Sequence, residues 1–149
     1  MLRRIFLLTV LIVLPAHAGS NITFPPSRGP LPSGVREISI DEAEGLVRDH
    51  KEIPVIDVRS AVEFAEHGHL PRAQLVDYLR MDFVAAVGTL KIDPAKPCII
   101  YCALGGRARR AAEKLAKAGY KEILLPKGGF MAWKNAGKQV EGAPKKSVP

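Results

Sequence analysis

The sequence predicts a three-layer α/β domain, a mostly parallel central sheet with helices on both faces. Three observations carry this prediction. Short apolar runs of strand length alternate along the chain with segments of helical period. Serine–acid capping pairs stand at two of the junctions. The strand-like runs are apolar almost throughout rather than alternating with polar residues, which marks strands buried on both faces.

Taken in order, residues 35–38 read as a short strand, and Ser39-Ile40-Asp41-Glu42 as a capping box that opens a helix. Ala43, Leu46 and Val47 keep helical spacing to about residue 50. Residues 54–58 form a continuous apolar strand interrupted by Asp57, and Ser60-Ala61-Val62-Glu63 is a second capping box, opening a short helix that carries Phe64. Gly68-His69-Leu70-Pro71 turns the chain into a strand at 73–76, and residues 81–87 read as helical. Residues 97–101 form the most apolar strand. After them, Ala108, Ala111, Ala112, Leu115 and Ala118 fall on one helical stripe, with charged residues on the remaining face and Gly119 as its stop. A last strand at 123–125, a Gly128-Gly129 turn and a short helix at 130–136 complete the domain, with Phe130 and Trp133 as core residues.

The two ends differ from this middle. Residues 1–18 open with Arg3-Arg4, run apolar from Ile5 to Leu14 and close on Pro15-Ala16-His17-Ala18, the pattern of a secretory signal peptide cleaved after Ala18. A bilayer span needs about 20 apolar residues, and this run is too short for one. The expected product is an exported protein, periplasmic or secreted, with no membrane attachment after cleavage. It retains 131 residues, enough for one domain with a hydrophobic core. Residues 19–34 are rich in proline and glycine and read as a tether or surface strap. The domain itself is expected over 35–140, and residues 141–149 are expected to be disordered.

Loss of Arg3 and Arg4 lowers the formal charge from +7 to +5. The remaining basic residues are scattered, which excludes a nucleic-acid footprint and favours small anions at most. Two cysteines in an exported chain raise the question of a disulfide. Along a strand at roughly 3.3 Å per residue, Cys98 and Cys102 lie about 13 Å apart, whereas a disulfide tolerates about 7 Å. Both are therefore expected as free thiols, Cys98 buried in its strand and Cys102 at the strand's end.

In open α/β sheets the ligand site lies beyond the carboxyl ends of the strands, and Cys102 stands there, ahead of a helix starting near Arg107. Amides of the loop and of the first helical turn converge at such a place and stabilise negative charge, which favours a thiolate nucleophile. Gly105 and Gly106 are expected to supply the tight curl, because glycine takes positive φ cheaply. Buried Asp57 calls for a partner, an arginine or backbone amides. His67 and His69, with one loop cysteine, match no structural zinc spacing, so no metal is expected and a solvated turn is their expected home.

Cys102-Ala103-Leu104-Gly105-Gly106-Arg107 resembles the six-residue active-site loop of the rhodanese family. Asp57-Val58-Arg59 with Glu63-Phe64 is similar to that family's first signature, Gly68-His69-Leu70-Pro71 with Ala73 to its second, and Gly128-Gly129-Phe130 with Trp133 to its closing one. Arg72 departs from the pattern, which most often has glycine there. The resemblance implies a sulfurtransferase that loads sulfur from a small anionic donor such as thiosulfate onto Cys102 and passes the persulfide sulfur to cyanide or a thiol. A protein acceptor is a further possibility under the same resemblance. Arg107 and the amides of Ala103, Leu104, Gly105 and Gly106 would bind the anionic sulfur species, and Arg59 would orient the loop or bind the donor. The scheme needs no cofactor, because sulfur is itself the electrophile.

Two rival functions remain open at the level of sequence. One is a sulfur-carrier or partner-binding module on the same scaffold with little turnover. The other is a cysteine phosphatase, whose cysteine-to-arginine loop has five intervening residues where this chain has four, and in which a histidine stands in place of Tyr101.

Overall fold

The structure, a computed structural model, describes residues 29–142; the expected signal peptide and most of the arm and tail lie outside them. Five strands and five helices alternate: β1 (Val35–Ile38), α1 (Ile40–Asp49), β2 (Val55–Asp57), α2 (Ala61–His67), β3 (Gln74–Leu75), α3 (Phe83–Gly88), β4 (Pro97–Tyr101), α4 (Gly106–Lys117), β5 (Glu122–Pro126) and α5 (Gly129–Asn135). The sheet order is β1-β5-β4-β2-β3 and every pairing is parallel. All five strands therefore end at one edge, and the loops leaving β2, β4 and β5 crowd together there.

Period-two alternation along β4 builds a core layer on each face. Cys98, Ile100 and Cys102 point to a layer completed by Phe83 and Val87 of α3 and by Ala108, Ala111, Ala112 and Leu115 of α4. Ile99 and Tyr101 point the other way, to Ala43 and Val47 of α1 and to Phe130 and Trp133 of α5. The expected three layers are thus present, with β4 at the centre.

Several local expectations change. The Ser39 hydroxyl accepts from the Glu42 amide, but the Glu42 carboxylate is taken by Arg36 at 2.8 Å, so only half of the first capping box forms. The second is complete around Ser60 and Glu63. Glu141 is not disordered: it exchanges backbone hydrogen bonds with His69 at 2.8 and 2.9 Å and its carboxylate accepts from the Arg72 amide. His69 is not simply solvated either, since its ring stacks on Phe64 with centroids 4.0 Å apart. Within the described part of the arm, Leu31 packs on the α4 side of the core.

Arg72 adopts φ 64°, a left-handed conformation that favours glycine. Its guanidinium donates to the carbonyls of Val47 at 2.8 Å and Lys51 at 3.1 Å, in and just beyond the last turn of α1, where free carbonyls need donors. Those bonds offset the strain.

Candidate active site

Cys102 follows directly on β4, and its carbonyl accepts from the Phe130 amide at 2.9 Å while the Ala103 carbonyl accepts from that of Met131 at 3.0 Å. The start of α5 thereby anchors the loop from outside. Gly129 makes this approach possible: with φ 61° it lies so close to the Cys102 and Ala103 carbonyls that a Cβ would meet both. Gly128-Gly129 was legible as a turn, but not as the seat of the cysteine loop.

Gly105, at φ 102°, turns the chain back over the sulfur and donates its amide to Cys102 Sγ at 3.1 Å. It is also the N-cap of α4, and no side chain caps that helix, which leaves its first amides directed at the loop. An amide donor and a helix N-terminus both favour negative charge on the sulfur. Gly106 does not share this role. It is the first residue of α4, has no positive φ, and has open space where a Cβ would stand. Cys102 is only 2% exposed, whereas Leu104 at the loop's tip is 74% exposed.

Arg107 is near the sulfur, but its guanidinium is already engaged: both terminal nitrogens donate to the two carboxylate oxygens of Glu63, at 2.7 and 2.6 Å. This bidentate pair is the strong form of the interaction. It holds the Glu63 carboxyl at about 2, through the Arg107 hydrogen bonds first, against partial burial, with further help from Ser60. Glu63 read as a helix cap in the sequence. Its second function was hidden, because nothing in the spacing shows that α2 lies beside the start of α4.

Arg59 does not serve as a donor-binding residue in this structure. Along the β2 edge, Ile56 and Val58 face the Cys102 layer, so Asp57 and Arg59 face the opposite one. There Arg59 is 1% exposed, paired with Asp57 at 2.6 Å, bonded to the Gly68 carbonyl and stacked 4.0 Å over the Phe130 ring. The expected arginine partner of Asp57 is thus Arg59 itself, and Arg59 supports the loop through Phe130. Tyr101 lies in the same layer; burial and then Asp57 push its hydroxyl upward, and that oxygen accepts from the Leu70 amide. Cys98 is an inert contrast to Cys102, fully buried and pushed up to about 12 by desolvation. Both cysteines are free.

Comparison with known proteins agrees with this geometry. The family model for the rhodanese-like domain matches residues 39–136. The chain is 32% identical over 104 residues to a thiosulfate sulfurtransferase, GlpE, of Coxiella burnetii, covering 66% of this chain and 87% of that one. It is 29% identical over 104 residues to a sulfurtransferase of Allochromatium vinosum, covering 69% and 92%. In fold it is similar to the polysulfide-sulfur transferase of Wolinella succinogenes, with TM-score 0.66 at 23% identity, covering 78% of this chain and 84% of that one. The matched span runs from the cap of α1 to the end of α5 and includes the whole cysteine loop, so the chain belongs to the rhodanese-like domain family.

Proposed function

We propose that this protein is a sulfurtransferase that carries a sulfane sulfur on Cys102. In loading, the Cys102 thiolate attacks the outer sulfur of a donor such as thiosulfate. A new S–S bond forms, the donor's S–S bond breaks, and sulfite leaves with the electron pair. In unloading, cyanide or a thiol attacks that outer sulfur and the Cys102 thiolate departs. Two displacements through a covalent intermediate give ping-pong kinetics. The observation that carries the reading is the Gly105 amide on Cys102 Sγ at 3.1 Å, within a loop that feeds the uncapped start of α4. The loop holds four residues between Cys102 and Arg107 and so closes on a single sulfur, which speaks against the phosphatase reading.

The same proposal places the working protein outside the cytoplasm, beginning at Gly19. Intact-mass measurement of protein recovered from the cell envelope tests both points. The expected mass is that of residues 19–149, and thiosulfate should add about 32 mass units, one persulfide sulfur, reversibly to wild type and not to Cys102→Ser. A gain that survives in Cys102→Ser would overturn the site.

A second reading, a carrier that exchanges sulfur only with a docked protein, draws on the near closure of Cys102 to solvent. In that case the loaded sulfur would persist in free cyanide and leave only on addition of a partner thiol.

A further inference from the structure

Basic residues that lie scattered along the sequence are gathered by the fold. Residues 35–90 carry six Lys and Arg against eleven Asp and Glu, whereas residues 91–134 carry ten against three. The carboxylates around α1 are matched by cations beside them: Glu42 pairs with Arg36, Asp49 with Arg48, and Asp41 and Glu44 share Lys138. The cations of α4 are not matched in this way. Arg110, Lys114 and Lys117 stand four and three residues apart, which puts them on one stripe of the helix, opposite the buried Ala108, Ala111, Ala112 and Leu115. All three are exposed, and the one carboxylate of α4, Glu113, lies 3.6 Å from Arg109 instead.

Two segments border the stripe. On one flank the Arg109 guanidinium donates to the Gly29 carbonyl, and Leu31 packs on the α4 layer. On the other, Lys114 Nζ sits 4.6 Å from the centre of the Tyr78 ring, which meets Phe83 edge-on with centroids 5.6 Å apart. Tyr78 thereby fixes the loop 77–82 beside α4. The tip of that loop stands in the open, with Leu79 74% exposed and Met81 wholly exposed. Single apolar residues on a surface are ordinary. Two on a loop held against an unpaired cationic stripe combine the attractions that keep a protein on a charged bilayer, apolar insertion and contact with anionic head groups.

We propose that this face, the α4 stripe with the tip of loop 77–82, docks on an anionic lipid surface. A second copy of this chain fits it less well, because the carboxylates around α1 already have partners. An acidic protein surface complements the cations but gives no apolar cover to Leu79 and Met81. The contact is peripheral, neither a span nor a lipid anchor, and no described helix is long and apolar enough to cross a membrane. It revises the sequence expectation of a chain without membrane attachment, and it is independent of the chemistry at Cys102.

Cosedimentation of residues 19–149 with vesicles tests the proposal. The vesicles are phosphatidylcholine alone or equal parts of phosphatidylcholine and phosphatidylglycerol, and soluble polyglutamate serves as the polypeptide polyanion. Binding should require phosphatidylglycerol and weaken steeply as salt rises. Arg110→Gln/Lys114→Gln/Lys117→Gln should weaken it about a hundredfold, at about fivefold for each charge near a lipid surface. Leu79→Ser/Met81→Ser keeps those charges and should weaken vesicle binding about tenfold, with polyglutamate binding unchanged. All the substituted side chains are exposed, and native circular dichroism confirms that the variants fold. Equal binding to both vesicles, binding to neither, or a triple variant that binds like wild type overturns the proposal. Vesicle binding unmoved by Leu79→Ser/Met81→Ser overturns it too, and would assign the face to an acidic protein.

Discussion

Gly105, Gly106 and Gly129 all lie in or against the cysteine loop, and their backbone angles separate what their identity does not. Gly105 at φ 102° aims its amide at Sγ, and an alanine there would carry left-handed strain of about 1–2 kcal/mol though nothing blocks its methyl group. Gly106 is an ordinary first helical residue, so Gly106→Ala should leave stability unchanged or improve it by about 0.5 kcal/mol. Gly129 combines φ 61° with two carbonyls in the path of a Cβ. Gly129→Ala should cost about 2–4 kcal/mol, through overpacking and backbone strain together, and should abolish sulfur loading because the cysteine loop is displaced. Urea midpoints and intact mass on the three variants check this order; equal tolerance of Gly106→Ala and Gly129→Ala would sink it. In the sequence the pair 105–106 looked functional and 128–129 looked like a turn. The string of letters does not carry φ, and it does not show which loop leans on which.

At the level of elements, the end of β2 is the foundation of the site. Asp57 is fully buried, accepts from the Arg59 amide and guanidinium, and shares its layer with Tyr101 and Phe130. A buried pair of this kind is costly to break because removal of one partner strands the other's charge. Asp57→Ala should therefore cost about 3–5 kcal/mol, and Asp57→Ala/Arg59→Met should recover part of that loss by replacing the stranded cation with an apolar side chain. Urea denaturation of the single and double variants decides the point; a double variant no better than the single would show that packing, not charge, is lost. The need of Asp57 for a partner was legible, since a carboxylate inside an apolar strand must be neutralised. Its choice of Arg59 was not, because that choice depends on strand alternation turning both residues away from the thiol. The link from α2 to α4 through Glu63 and Arg107 was hidden for a related reason: a serine–glutamate cap explains the glutamate fully at the local level, so nothing remained to hint at a second partner.

Across the whole molecule, the alternation of β4 side chains divides the interior into a layer that holds the thiol and a layer that holds Arg59 and Trp133. The overall plan was readable because buried parallel strands and amphipathic helices leave strong periods in the sequence. The chain end was not, since residues 138–142 have no period and their order comes from partners far away. Trp133 Nε1 donates to the Gln139 carbonyl at 2.8 Å, Val140 packs on the α1/α5 layer, and Glu141 forms a two-way backbone bridge with His69. Three net hydrogen bonds of Glu141, two with the His69 backbone and one from the Arg72 amide to its carboxylate, at about 1 kcal/mol each, and one partly buried valine make this closure worth about 3–4 kcal/mol. A chain ending at Gln139 should therefore unfold at a lower urea midpoint by that amount. Because these contacts lie in the layer opposite Cys102, the folded truncated protein should still load sulfur at the wild-type rate. A lost loading rate in a chain that keeps its native circular dichroism would mean that the two layers are coupled through the sheet, and an unchanged midpoint would mean that the closing bridge contributes nothing to the fold.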